Sequence, residues 1–165
     1  NGFTEEIEPM YVVAETGDVL SSIRDDSVKR NSRSGIEEAN SGDSTYLQYD
    51  RRNADNAIQW LNTHKDDDKP WVLFLSFVCP HPPFIAPEEY YNLYPLEDIE
   101  LPPQWEEIDW PQHPALKYMR QFFSFDEPFT EENIRRLHAV YYGVCTFLDA
   151  PSSMCLSSTS LFVLS

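Results

Sequence analysis

Trp71-Val72-Leu73-Phe74-Leu75-Ser76-Phe77-Val78, running on into Cys79-Pro80-His81-Pro82-Pro83-Phe84, is the stretch whose reading decides the fold. From Trp71 to Val78 only Ser76 is polar. A half-buried strand alternates apolar and polar residues, so an unbroken apolar run predicts a strand covered on both faces. That is the habit of a parallel sheet flanked by helices. Past its end, Pro80, Pro82 and Pro83 surround His81. Open α/β sheets take their ligands beyond the carboxyl ends of the strands, which makes His81 the candidate functional residue. A histidine that only holds a proline-rich turn is the competing reading of the same residues.

The flanking sequence supports an α/β unit. Between Tyr49 and His64, Ala54, Ala57, Ile58 and Leu61 recur at three and four, which predicts a helix with Asp50 as a cap near its start. Asp66-Asp67-Asp68 reads as a solvated turn rather than a metal cluster. Helix, short turn and buried strand then make one α/β unit. Beyond His81, Pro87 to Tyr94 predicts a short helix with proline at its first position. Residues 95–129, rich in Pro, Trp and acidic groups, predict an irregular crossing over the surface. Trp105 and Trp110 pin that crossing to the body in one reading and line a cleft in the other.

Thr130 caps the clearest helix, with Glu131 and Glu132 in the first turn, where the dipole favours negative charge. Ile134, Leu137, Tyr141, Val144 and Leu148 form its apolar face. Pro151 is expected to break it. Residues 150–165 carry no charged side chain and read as an atypical tail, a frameshift or splice end, or a short hydrophobic strand. At the other end, Pro9 to Val13 predicts one short strand. Gly17 to Thr45 predicts a polar excursion loop with one helical turn.

Composition narrows the function classes. The chain has 165 residues, a formal net charge of −16 and a pI near 4.4. Nucleic-acid backbones are bound by clusters of Lys and Arg, so no nucleic-acid partner is expected. No segment reaches the roughly 20 apolar residues of a membrane helix, so no membrane partner is expected either. Cys79, Cys145 and Cys155 are odd in number and lack a C-x-x-C spacing, which suggests neither a disulfide framework nor a zinc site. His64, His113 and His138 read as packing or surface residues. The opening Asn1-Gly2-Phe3 lacks Met, a basic region and an apolar run, which reads as an internal piece of something longer and leaves the compartment open.

Taken together, Lys69 through Phe84 resembles the strand and "SF-x-x-PH-x-PF" turn of the sulfatases, within the alkaline phosphatase superfamily. Ala86 to Tyr94 is similar to the segment that follows it. Arg135 to Asp149 resembles the helix that precedes the family's late metal-binding strand, and Gly2 to Val13 the segment after its early strands. The resemblance covers nearly all of residues 1–149. It implies a partial alkaline-phosphatase-like α/β sandwich, a mostly parallel sheet flanked by helices and incomplete. It also implies a fragment of a sulfuric ester hydrolase.

Such enzymes use a formylglycine made from Cys or Ser in "C/S-x-P-S-R" and a divalent cation, usually calcium, on small-molecule or glycan sulfate esters. Cys79, Cys145 and Cys155 each stand in other contexts, so no nucleophile or metal ligand carries over, and no cofactor is expected on this chain. His81 alone matches, at the position where the family's histidine meets the sulfate group or leaving oxygen. The implied alternatives are a non-catalytic truncated interaction piece, or a phosphonate or phosphate ester hydrolase of the same superfamily.

Overall fold

The computed structural model describes residues 2–8, 12–13, 16–17 and 32–157. Its element order is β1 (Val12–Val13), β2 (Thr16–Gly17), α1 (Arg33–Glu37), β3 (Asn40–Ser41), α2 (Thr45–His64), β4 (Ile85–Ala86), α3 (Glu88–Tyr91), α4 (Pro114–Phe122) and α5 (Glu131–Ser157). Residues 9–11 of the expected first strand, 18–31 of the expected loop and 158–165 of the tail lie outside the described residues. β1 and β2 pair antiparallel, Val12 with Gly17. β3 and β4 pair parallel, Asn40 with Ile85 and Ser41 with Ala86. Parallel neighbours need a crossover, and this one carries α2 and the 71–84 stretch. The α/β class expected from the sequence is therefore present in partial form.

α2 starts earlier than expected. Ser44 is extended at φ −143°, and its hydroxyl accepts the Leu47 amide at 3.2 Å, so Ser44 is the cap. Asp50 lies well inside the helix, in the buried stripe Leu47, Asp50, Ala54, Ala57, Leu61. α5 crosses this stripe. The Thr130 hydroxyl accepts the Asn133 amide at 3.1 Å at its start, and Ala139, Val140, Val144 and Phe147 are buried along its length. Leu47, Cys79, Ala86, Val140, Val144 and Phe147 belong to one core cluster. A Cβ at Gly143 would stand 3.1 Å from the Ala86 Cβ and 3.1 Å from the Tyr91 amide nitrogen, so only glycine lets α5 approach β4 and α3 this closely. α5 does not stop at Pro151 but continues to Ser157. Proline already has a helical φ, and the helix continues although it lacks the N–H of that position.

Two further expectations change. Pro87 is the cap of α3 and not its first helical residue. The crossing 95–129 is not wholly irregular, because it contains α4. Its start is legible afterwards: the His113 ring nitrogen accepts the Ala115 amide at 3.2 Å, and Pro114 takes the first helical position. Trp105 and Trp110 brace the crossing internally. The Trp110 indole N–H donates to the Trp105 carbonyl at 3.3 Å, and the Arg120 guanidinium lies 5.2 Å from the Trp110 ring centre.

The 71–78 stretch differs most from its sequence reading. It belongs to no strand ladder among the described residues. Trp71, Leu73, Leu75 and Phe77 are half-buried, whereas Val72 is 86% and Phe74 is 72% exposed. One face rests on α2: Trp71 meets Trp60 edge-on at 5.0 Å between ring centres, and Asn53 donates to the Ser76 carbonyl at 3.0 Å. The other face touches the Phe3 ring, 6.1 Å from Phe74. Among the described residues, the covering expected on both sides comes from α2 on one side and from the Phe3 ring on the other. An exposed apolar edge of this kind should bind an apolar fluorescent dye. Val72→Ser combined with Phe74→Ser should remove most of the dye signal at unchanged helix content. An undiminished signal would place the dye elsewhere, for example on Leu116, Tyr118 and Met119 of α4, which are also exposed.

Candidate functional site

His81 sits three residues beyond the 71–78 stretch, in a tight turn closed by its own amide donating to the Val78 carbonyl at 3.0 Å. The Cys79–Pro80 and Pro82–Pro83 peptide bonds are both cis. The side chain is exposed. Its Nδ1 lies 2.7 Å from the Pro82 carbonyl oxygen. A carbonyl can only accept, so Nδ1 carries the hydrogen and donates it. That fixes the tautomer and leaves Nε2 as the ring atom for an outside partner. The Tyr46 ring stands 6.0 Å from the imidazole.

The turn is anchored from α2. The two Asp50 carboxylate oxygens accept the Val78 amide at 2.8 Å and the Cys79 amide at 2.9 Å. Asp50 has no exposed surface. The residue was legible in the sequence as a single acid within an apolar stripe at three-and-four spacing, a pattern that reading it as a cap overlooked.

Cys79 is no nucleophile in this setting. Burial first, and then the neighbouring Asp50 carboxylate, push its thiol up from 9.0 to about 12. The thiol therefore stays protonated near neutrality, and the thiolate is the reactive form. Asp43, at the end of β3, moves the other way: hydrogen bonds from Gln48 and then Arg51 hold its carboxyl below the ordinary value.

The remaining histidines have local partners. His64 stacks on Trp60 at 4.1 Å, His113 caps α4, and His138 lies 6.0 Å from the Tyr142 ring. Among the described residues no three of His, Cys, Asp and Glu come together in a way that could hold a metal ion. The Asp66-Asp67-Asp68 run is an exposed turn. A groove of about 610 Å³ runs between residues 3–8, α2 and residues 72–76, but His81 is not part of its wall. Among the described residues no helix is long and apolar enough to cross a membrane.

Comparison with known proteins places these residues in context. A family model described as Sulfatase matches residues 18–150. A multifunctional alkaline phosphatase superfamily protein of Trinickia caryophylli is 35% identical over 95 residues, covering 50% of this chain and 18% of that protein. Choline-sulfatase of Rhizobium meliloti is 33% identical over 104 residues, covering 58% of this chain and 19% of the relative. Arylsulfatase K of Bos taurus is 28% identical over 118 residues, covering 63% and 22%. The chain therefore spans about a fifth of the length of these relatives.

Proposed function

Because the chain belongs to the sulfatase family, we propose that it is part of the catalytic domain of a sulfuric ester hydrolase, with His81 facing the sulfate group or the leaving oxygen. The observation that supports this is the His81 turn itself. An exposed imidazole, fixed through Nδ1 at the end of a stretch packed on α2, offers Nε2 to a substrate. When the sulfur–oxygen bond of an ester breaks, the departing oxygen gains charge and needs a proton. With Nδ1–H held by the Pro82 carbonyl, the neutral ring offers Nε2 as an acceptor, and the imidazolium form offers Nε2–H to supply that proton or hydrogen-bond the sulfate oxygens.

The family's formylglycine and divalent cation belong to the same proposal, as does a small-molecule or glycan sulfate ester as substrate. The cation would polarise the sulfate oxygens when bound. The described residues do not fit it, since no suitable trio of ligands comes together among them. Neither Cys79 nor Cys145 nor Cys155 stands in a "C-x-P-S-R" context that would yield the aldehyde.

The isolated chain is accordingly expected to be inactive. The purified chain should show no turnover of an aryl sulfate. Turnover that His81→Ala abolishes would overturn the inactivity, and inorganic sulfate that leaves the His81 ring resonances untouched would count against its facing sulfate. A phosphonate or phosphate ester hydrolase is the second reading, supported by the alkaline phosphatase superfamily relative. Inorganic phosphate shifting the His81 resonances at lower concentration than sulfate would favour it.

A further inference from the structure

α2 carries an acid where its pattern calls for a hydrophobe. Leu47, Ala54, Ala57 and Leu61 bury one stripe, and Asp50 falls within it without any exposed surface. A carboxylate withdrawn from water is destabilising unless it is hydrogen-bonded. Asp50 is satisfied by two backbone amides, those of Val78 and Cys79, and among the described residues no buried side-chain polar atom lacks a partner. The same two amides belong to the residues that open the His81 turn. Val78 also receives the His81 amide on its carbonyl, so one carboxylate holds both the start and the register of that turn.

The contrast with the preceding residues is sharp. Among the described residues no backbone hydrogen bond pairs the amides of residues 71–77, and Val72 and Phe74 face outward. Among the described residues, the amides with a carboxylate acceptor are thus those at the end of the stretch. Core packing alone does not require this arrangement. A leucine at position 50 would complete the apolar stripe, but it would leave two amides in the interior without acceptors.

We propose that Asp50 is the positioning residue for His81: its two carboxylate oxygens, each bound to a successive backbone amide, fix the turn that aims the imidazole. This rests on the reading of His81 as the group that meets the sulfate ester. Asp50 itself touches neither substrate nor reacting atoms. It acts through the peptide groups at Val78 and Cys79, which set the path of the chain into Pro80 and His81.

The test combines amide exchange with ring resonances of His81 on the full chain. In the unsubstituted protein the Val78 and Cys79 amides should exchange far more slowly than those of Val72 and Phe74. Asn at position 50 keeps the shape but turns an N–H₂ toward one of the two amides. Asp50→Asn should therefore speed exchange at both by about tenfold to a hundredfold, the equivalent of one charge-assisted hydrogen bond. It should also shift the His81 ring resonances without any ligand present, and Asp50→Glu should restore part of both effects.

Leu47→Ala, which weakens the same helix stripe without touching these bonds, should leave the Val78 and Cys79 amides protected and the His81 resonances in place. Equal exchange at Val72, Phe74, Val78 and Cys79 in the unsubstituted protein would overturn the proposal, and it does so even if Asp50→Asn fails to fold. Faster exchange at Val78 and Cys79 with unmoved His81 resonances would reduce Asp50 to a core residue. Inorganic sulfate separates the two readings. If sulfate never perturbs His81 while Asp50→Asn still moves its resonances, the positioning stands and the catalytic reading of His81 fails.

Discussion

Asp50→Ala is expected to lower the stability of the chain by about 2–4 kcal/mol, at about 1–3 kcal/mol for the buried Cys79 amide left without an acceptor and about 1 kcal/mol for the partly buried Val78 amide. Both Asp50 bonds are short, 2.8 and 2.9 Å, and the residue has no exposed surface through which water could take over. Natural domains are stable by about 5–15 kcal/mol in total, so the loss is a large part of the whole. Urea titration followed by far-ultraviolet circular dichroism measures it as a fall in midpoint at constant slope. Asp50→Leu, which fills the same stripe with apolar volume, should recover little, because the orphaned amides remain. Full recovery by leucine would mean that the site needs volume and not acceptors.

Leu47→Ala is expected to cost about 2–5 kcal/mol, the range for truncating a buried leucine. Leu47 is fully buried in the cluster where α2 meets α5, with Val140, Val144 and Phe147 on the other side. The loss has two parts: the transfer of the removed methylenes, and the cavity that remains where neighbours cannot close in. On its Gly143 side α5 already packs too closely on Ala86 and Tyr91 to admit even a Cβ. A loss below about 1 kcal/mol in the same urea titration would show that the α2–α5 contact relaxes after all. Asp50 and Leu47 lie one turn apart on one stripe, yet only the first should disturb His81.

Much of the local structure was readable because its causes are local. Thr130 with Glu131 and Glu132 announces the start of α5, and the spacing of Ile134, Leu137, Val144 and Leu148 announces the side on which it packs, although Tyr141 of the same series is exposed. The stripe Ala54, Ala57, Leu61 announces α2. α4 was hidden because Pro114 and His113 look like loop residues until proline is seen as the first helical residue and histidine as its cap. Pro151 misled in the opposite sense, since α5 absorbs it. Ser44 was missed as the cap of α2 because the polar run before it gave no apolar period from which to count back.

What the sequence by itself determined is the family, the candidate at His81, and the helices whose periodicity and caps are written into neighbouring residues. His81 was legible because prolines on both sides of a histidine, after an apolar run, form a contiguous signal. Only the tertiary structure decided that Asp50 is an anchor and not a cap, because its partners, the amides of Val78 and Cys79, lie 28 and 29 residues away. Only the tertiary structure decided that the 71–78 stretch is half covered, with α2 beneath Trp71 and Val72 and Phe74 facing outward. The physical reason is the same in both cases. Apolar content and side-chain spacing are properties of a segment, whereas hydrogen-bond acceptors and covering faces are supplied by other segments, and nothing in a residue's neighbours in the chain says which segment will supply them.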